Sequence, residues 1–185
     1  FQNFFYFFRN SPHLKNYDRI FILDDDIIID TEGINNMFKF SENYDLEICQ
    51  PSLSNFSKIS HPVTRKNESS IGRYTNFIEV NVPLMTRKAI NILNSVYSDS
   101  LIGWGIDYLS IWINNDREIP KFPCKKFAIN DEISCINPNS REKETEGREL
   151  FKIPRSDLRK FDWEKYALSI SCPKSWEPKT LEEMI

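Results

Sequence analysis

The sequence predicts an α/β fold in which helices flank a mostly parallel sheet, and two observations predict it. The run at 19–29 is dense in apolar and β-branched residues, as in a strand that is buried on both faces. Strand-like segments then alternate with segments whose apolar residues recur at helical spacing, which is typical of strands joined by crossover helices. The strand-like segments are 46–51, 73–86 and 126–130, and the helical ones are 31–42, 87–96 and 108–114.

Each element in the first half of the chain has its own local signal. Aromatic residues at nearly every position of 1–9 indicate the end of a buried helix, which a Ser-Pro pair then terminates. Thr31 is the predicted N-cap of the next helix. The inner face of that helix is expected to contain Ile34, Met37 and Phe38. The strand at 46–51 ends at a proline, which cannot donate to a sheet ladder.

The second half begins with a long polar loop and returns to regular elements. The loop at 52–70 is rich in Ser, Asn and Lys, and long loops inside compact domains are often functional. Alternating apolar residues predict one strand over 73–86, with a helix at 87–96 packed behind it. Another short strand at 126–130 ends in two acids.

The chain is expected to form one core with a C-terminal extension. Residues 1–140 make up the predicted α/β core, and 141–185 a charged extension packed on it. Within the extension, 142–148 is expected to be mobile, and the residues predicted to hold the tail on the core are Trp163, Tyr166 and Trp176. Because the sequence opens on Phe1 inside an aromatic-rich segment, we expect a further segment to precede it.

Composition excludes several classes of function. A net charge of −3 provides no general attraction for nucleic acid. No apolar run approaches the length of a transmembrane segment. The four cysteines lie too far apart in sequence for zinc-ligand spacing, which favours reduced, mostly buried thiols and, weakly, a cytoplasmic location. A missing signal or anchor would leave the location open.

Three consecutive acids, Asp24, Asp25 and Asp26, interrupt the apolar run at 19–29. Buried without partners, they would repel one another and be costly to desolvate, so we expect them at the carboxyl end of a central strand. Their oxygen atoms suit a hard divalent cation, Mg²⁺ or Mn²⁺, which would also grip a diphosphate. A solvated acidic turn is the alternative.

The second candidate region is the sequence Gly103-Trp104-Gly105, followed by Asp107. Two glycines allow a tight turn that presents an aromatic surface, and sugar rings stack on such surfaces. Asp107 is expected at a helix N-terminus, where an ionised carboxylate is favoured and can accept a proton from a hydroxyl. The alternative is a core tryptophan followed by an ordinary first-turn acid.

These motifs, in this order, resemble the GT-A class of nucleotide-sugar glycosyltransferases. Leu-Asp-Asp-Asp-Ile matches the Asp-x-Asp motif, and Gly-Trp-Gly-Ile-Asp, about eighty residues later, looks like the Gly-Trp-Gly-x-acid motif of the β-1,4-galactosyltransferase type. A little-characterised branch of plant and bacterial GT-A-like proteins is closer still, since it shares the aromatic helix, a Gln-Pro strand end (Gln50-Pro51) and a Ser-His segment (Ser60-His61). The resemblance spans about residues 1–140 and implies a Rossmann-like sheet whose N-terminal, nucleotide-binding part lies upstream.

The resemblance also implies roles for individual residues. Asp24 would contact the ribose and, with Asp26, the metal, while Asp25 supports them. Asp107 would be the general base, as the corresponding acid is in inverting members of the class. The pattern departs from the family after Asp131, where a metal-binding histidine is expected and Ile133-Ser134-Cys135-Ile136-Asn137 stands instead. Asn137 or Asp131 could substitute, or two acids, diphosphate and water could hold the cation.

The remaining candidates are a histidine and three cations near the long loop. His61 is a candidate substrate-binding residue, with a solvated or backbone-bonded imidazole as the alternative. The cations are Arg65, Lys66 and Arg73, which could meet a diphosphate or be ordinary solvated charges.

The resemblance therefore implies an enzyme, a hexosyltransferase-like glycosyltransferase of glycan or polysaccharide biosynthesis. Its partners would be a nucleoside diphosphate sugar donor and a glycan or other hydroxyl acceptor. A non-catalytic GT-A-like domain that binds a sugar or a partner is the alternative. A glycoside hydrolase that uses Asp26 and Asp107 is a third hypothesis, which does not explain three clustered acids.

Overall fold

The computed structural model describes residues 2–138 and 149–184, so the mobility expected for 142–148 concerns residues outside the described ones. The helices are α1 Gln2–Asn10, α2 Thr31–Asn43, α3 Arg87–Val96, α4 Ile106–Asn114, α5 Glu149–Lys152 and α6 Arg159–Ser169. The strands are β1 Arg19–Phe21, β2 Ile48–Leu53, β3 Gly72–Thr75, β4 Leu84–Thr86, β5 Phe127–Cys135 and β6 Thr180–Met184. Short 3-10 helices cover Pro12–Asn16, Pro62–Thr64 and Ser156–Leu158.

The six strands form one sheet in the order β1-β4-β2-β5-β3-β6. Among the described strands, β2 and β5 are the parallel pair, and the other four neighbouring pairs are antiparallel. The α/β class is confirmed, but the prediction of a mostly parallel sheet is wrong. Helices cover both faces of this mixed sheet. A strand that is buried on both faces is apolar along its whole length whether its neighbours are parallel or antiparallel, so the apolar pattern did not reveal the strand direction.

The two faces of the sheet bury separate apolar clusters. On one face, α1, α3, α4 and α6 pack against Ile48, Met85 and Phe127. On the other face, α2 packs against their chain neighbours Cys49, Leu84 and Ala128. Adjacent residues of one strand thus point into different clusters, as the pleat requires.

The acid-containing run forms only a short strand. β1 has three residues and lies at the edge of the described sheet, so the predicted position at the end of a central strand is wrong. Beyond Phe21 the chain remains hydrogen-bonded to the segment that precedes β4. The N–H groups of Ile22 and Asp24 donate to the carbonyls of Pro83 and Asn81, each at 2.9 Å. The charged residues themselves lie beyond the paired strand, where water can reach them.

The predicted strand over 73–86 is two strands that are not neighbours in the sheet. β3 pairs with β5 and β6, β4 pairs with β1 and β2, and 76–83 crosses between them. Phe77 and Ile78 are buried in this crossing segment, which explains the unbroken apolar pattern. The cap of α2 also differs from the prediction, because Asp30 rather than Thr31 accepts the Gly33 N–H, at 2.7 Å.

The C-terminal residues complete both the sheet and the core. β6 pairs antiparallel with β3, and the Trp163 side chain is 1% exposed. Trp163 lies so close to Gly105 that a Cβ at that glycine would overlap its ring, and Gly105 has a φ of 79°. Trp176 donates to the carbonyl of Asn76 at 3.0 Å and meets Tyr108 edge-on. Within the described residues, no helix is both long and apolar enough to span a bilayer.

Candidate functional site

The acidic run forms a turn that is fixed at both ends. Asp24 and Asp25 are exposed and Asp26 is partly buried. Before the turn, the Asp24 N–H donates to Asn81 O, and after it Ile28 exchanges two 2.9 Å backbone hydrogen bonds with Ile136. The backbone of the turn is therefore held in place, and Asp24 and Asp25 are exposed to solvent.

Asp107 lies in the first turn of α4, as the sequence predicts. Gly105 precedes the helix in the left-handed conformation, and Asp107 Oδ1 accepts the Tyr108 N–H at 3.0 Å. Burial raises the pKa of Asp107 to about 6, although hydrogen bonds from backbone N–H groups oppose the rise. Desolvation thus outweighs the helix N-terminus here. The carboxylate is left with a pKa suited to accepting a proton near neutral pH.

Glu79 is a buried acid that the sequence-based prediction missed. It lies in the crossing segment 76–83, is 4% exposed, and donates its N–H to Gln50 Oε1 at 2.6 Å. Burial, and after it the negative charges of Asp107 and Asp24, raises the pKa of Glu79 to about 7. An acid inside the apolar run Phe77-Ile78-Glu79-Val80 is the signal that could have revealed it, since the same signal singled out Asp24.

The three acids Asp24, Glu79 and Asp107 therefore share one electrostatic neighbourhood. They come from separate parts of the fold: the turn after β1, the crossing segment and the start of α4. Both Asp24 and Asp107 act on the Glu79 carboxyl group. Asp24 and Asp107, which are about eighty residues apart in sequence, thus each lie within electrostatic range of the Glu79 carboxyl group.

Trp104 lies at the surface next to this region. Its side chain is 41% exposed, and the Arg159 guanidinium carbon is 5.1 Å from the centre of its ring. Gly103 and Gly105, on either side, have positive φ angles of 69° and 79°. The guanidinium group lies over one face of the ring, and the exposed part of the ring is a surface on which a sugar or a base can stack.

His61 lies near Glu79 and directly precedes the 3-10 helix Pro62–Thr64. Its ring centre is 4.3 Å from that of Phe77, and burial lowers the pKa of the imidazole, so it is neutral at pH 7. The backbone of His61 and the hydroxyl of Thr64 interact with the Glu79 carboxyl group and partly oppose the rise in its pKa.

Arg73 and Asp131 form a buried ion pair. Two hydrogen bonds of 2.7 and 2.9 Å join the guanidinium and carboxylate groups, whose side chains are 8% and 0% exposed. Asp131 also accepts from Asn67 and Ser70, and Arg73 donates to Arg65 O. Both carboxylate oxygens are used internally, so Asp131 is not placed to replace the expected histidine ligand. Arg73 likewise stabilises the fold and is not directed at a diphosphate.

The described residues contain no group of three or more His, Cys, Asp or Glu side chains arranged to hold a metal ion. Two carboxylates can still bind Mg²⁺ or Mn²⁺ when phosphate oxygens and water complete the coordination. The turn at 24–26 fits that incomplete type of site. All four cysteines are free, and burial raises the pKa of the Cys49, Cys135 and Cys172 thiols to about 12, as expected for unreactive thiols.

A comparison of the chain with protein-family models, with curated proteins and with solved structures finds no match.

Proposed function

We propose that this protein is a GT-A-type glycosyltransferase that moves a sugar from a nucleoside diphosphate sugar to a hydroxyl acceptor. The observation that supports the proposal is that Asp24 and Asp107 both lie within electrostatic range of the same buried carboxyl group, Glu79. We propose that a donor held at the first motif extends its sugar towards the second. In an inverting transfer the base acts on the acceptor hydroxyl, and the leaving diphosphate is stabilised on the opposite side of the sugar carbon.

The acid turn is the proposed donor site. Asp24 would accept a hydrogen bond from the ribose, and Asp26, supported by Asp25, would hold a divalent cation together with the diphosphate. When bound, Mn²⁺ or Mg²⁺ neutralises the charge that develops on the leaving diphosphate. The backbone hydrogen bonds that hold the turn at both ends support this role.

Asp107 is the proposed general base. It accepts the proton of the acceptor hydroxyl as the acceptor oxygen bonds to the sugar carbon. The bond from that carbon to the diphosphate oxygen breaks, and its electron pair leaves with the nucleoside diphosphate. A pKa of about 6 leaves Asp107 mostly ionised at pH 7, and therefore able to accept the proton.

Trp104 is the proposed platform for a sugar ring. Its exposed plane lies two residues before the helix that carries Asp107. Gly103 and Gly105 give the turn that presents it, and His61 is proposed to contact the substrate in its neutral form. These contacts would orient the acceptor without taking part in the proton transfer.

A non-catalytic sugar-binding domain is the second candidate. The observation that favours it is the ion pair between Asp131 and Arg73. Because Asp131 is used in that pair, only the carboxylates of the acid turn would be available to a cation among the described residues. Such a domain would bind the donor and release no nucleotide.

A donor panel tests the proposal. Purified protein is incubated with nucleoside diphosphate sugars, a mixed hydroxyl acceptor and Mn²⁺ or Mg²⁺, and free nucleoside diphosphate is measured. We expect release from at least one donor, and we expect both a chelator and Asp26→Asn to abolish it. Binding of a donor without release would support the non-catalytic domain. If no donor is bound or cleaved, the glycosyltransferase proposal is wrong.

A further inference from the structure

Helix α6 has apolar side chains on two sides, and only one of these sides is buried. On the inner side, Trp163 and Ala167 belong to the core. On the outer side, the N-cap residue Leu158 is 41% exposed, Phe161 is 62% exposed and Leu168 is 75% exposed. A surface helix ordinarily has one apolar stripe, which faces the core, and presents polar side chains to water. The outer side of α6 departs from that pattern.

The outer apolar side chains form one surface. Leu158, Phe161, Lys165 and Leu168 follow one another at steps of three and four residues, so their side chains lie along the same side of the helix. Ile153, which is 38% exposed, lines the same groove as Lys165. These five residues are called the outer patch below. Contiguous apolar groups at the surface of a protein indicate a site of interaction.

The charge around the outer patch is basic. Residues 150–170 contain five basic and three acidic side chains, in a chain whose net charge is −3. Lys165 within the patch and Lys160 beside it are exposed, and neither forms an ion pair with an acid that the structure describes. Two positive charges at this surface are therefore available to an anionic partner.

The acids of the same segment offset little of that charge. Asp162 is paired with Arg155 at 2.6 Å, and Glu164 lies 3.1 Å from the ammonium group of Lys174. Asp157, in the 3-10 helix before α6, is the remaining exposed acid of this segment. The surface therefore combines large apolar side chains with a positive charge.

We propose that the outer patch is a docking surface for an anionic lipid bilayer. Phe161 and Leu168 enter the boundary between headgroups and acyl chains, while Lys160 and Lys165 contact the negative headgroups. Helices that lie in a bilayer surface combine aromatic or leucine side chains with lysines in this way. A lysine can place its apolar stem along the acyl region and keep its ammonium group among the headgroups. This role goes beyond the proposed sugar transfer and does not depend on it.

A bilayer fits the outer patch better than a second protein surface does. A stable protein interface takes roughly 20–30 residues from each partner. The outer patch offers five residues, on and beside a helix of 11 residues. In a symmetric dimer the patch would also meet itself, and the unpaired lysines of the two copies would lie close together. A bilayer is extended, needs no matching shape and carries the opposite charge.

Flotation with lipid vesicles tests the proposal. The intact chain is mixed with vesicles of phosphatidylcholine, with or without phosphatidylserine, and a chelator prevents a divalent cation from linking the acid turn to the lipid. We expect binding to the vesicles that contain phosphatidylserine and much weaker binding to phosphatidylcholine alone. Because salt screens exposed charges, about 1 M NaCl should remove most of the binding. Binding to neither kind of vesicle, or equal binding to both, would overturn the proposal.

Substitutions locate the binding surface. Phe161→Ser should weaken vesicle binding about tenfold, because it removes the largest apolar side chain of the patch. Lys165→Gln should weaken binding about fivefold, the effect of one basic residue near an anionic leaflet. The matched controls are Phe56→Ser, at a loop side chain that is 85% exposed, and Lys39→Gln, at an exposed lysine of α2 on the other face of the sheet. If the controls weaken binding as much as the patch variants do, the patch is not the docking surface.

Analytical ultracentrifugation without lipid distinguishes a bilayer from a second copy of the chain. We expect wild type and Phe161→Ser to sediment alike. A wild-type dimer that Phe161→Ser dissociates would overturn the proposal and make the patch an interface between copies. Thermal unfolding checks that each variant is folded, and Lys165→Gln, which changes only an exposed side chain, decides the question if Phe161→Ser does not fold.

Discussion

Replacing Asp107 by asparagine is expected to lower the transfer rate by about 10²–10⁴-fold, which corresponds to roughly 3–5 kcal/mol of barrier. Asparagine keeps the Oδ1 that accepts the Tyr108 N–H, but it cannot accept the proton of the acceptor hydroxyl. Donor affinity should be unchanged within about twofold, since the proposed diphosphate contacts lie at the acid turn. Transfer rate, donor affinity and thermal stability are measured on one preparation.

The thermal stability of the asparagine variant distinguishes a catalytic Asp107 from a purely structural one. The folded-state pKa of Asp107 is raised from 3.8 to about 6, so its stabilising contribution is complete below pH 4 and is lost as the pH rises through 6. At pH 7.5 the asparagine variant should therefore be at least as stable as wild type. A structural role predicts a loss on the order of 1 kcal/mol with near-normal transfer. Near wild-type transfer would end the assignment of Asp107 as the base.

Replacing Arg73 by methionine is expected to lower the free energy of unfolding by about 3–5 kcal/mol. The side chain of Asp131 is 0% exposed, and the substitution would leave its negative charge buried without a cation. The double variant Arg73→Met/Asp131→Leu should recover most of the loss, because it removes both buried charges. Urea unfolding measures all three proteins.

An exposed ion pair provides the control. Lys174 and Glu164 are 3.1 Å apart, with side chains 56% and 35% exposed, so Lys174→Met should change the free energy of unfolding by less than about 1 kcal/mol. If Arg73→Met were no more destabilising than Lys174→Met, the buried pair would not be a main support of the fold.

Local signals predict the helices α1 to α4, whereas the weak periodicity after Asn139 gives no signal for α5, α6 or β6. The bounds of α3 agree with the prediction because Thr86 caps it, accepting the Ala89 N–H, and because Ala89, Ile90 and Leu93 face the core. The same signals could not give strand direction or neighbours. A buried strand has the same apolar pattern whether its partners run parallel or antiparallel. The sequence pattern therefore predicts one long strand that includes the crossing segment 76–83, since Phe77 and Ile78 are as buried as strand residues.

The candidate site was predictable only in part. Asp24 and Asp107 were found because each belongs to a short motif with known chemistry. Glu79 belongs to no such motif, and its relation to them arises only when 76–83 folds against the acid turn and α4. The Arg73–Asp131 pair was missed for a similar reason, since it joins β3 to β5 across 58 positions of the chain. Long-range charge pairing leaves no periodic signal in a sequence.

The central claim is that the acid turn binds a diphosphate through a divalent cation, and isothermal titration calorimetry with a nucleoside diphosphate tests it most directly. Titrations are run with Mn²⁺ and with a chelator, on wild type, Asp26→Asn and Glu32→Gln, the last removing an exposed acid six positions along the chain. The account predicts that nucleotide affinity falls on chelation and again in Asp26→Asn, whereas Glu32→Gln matches wild type. Nucleotide affinity that is indifferent to both the chelator and Asp26→Asn would contradict it.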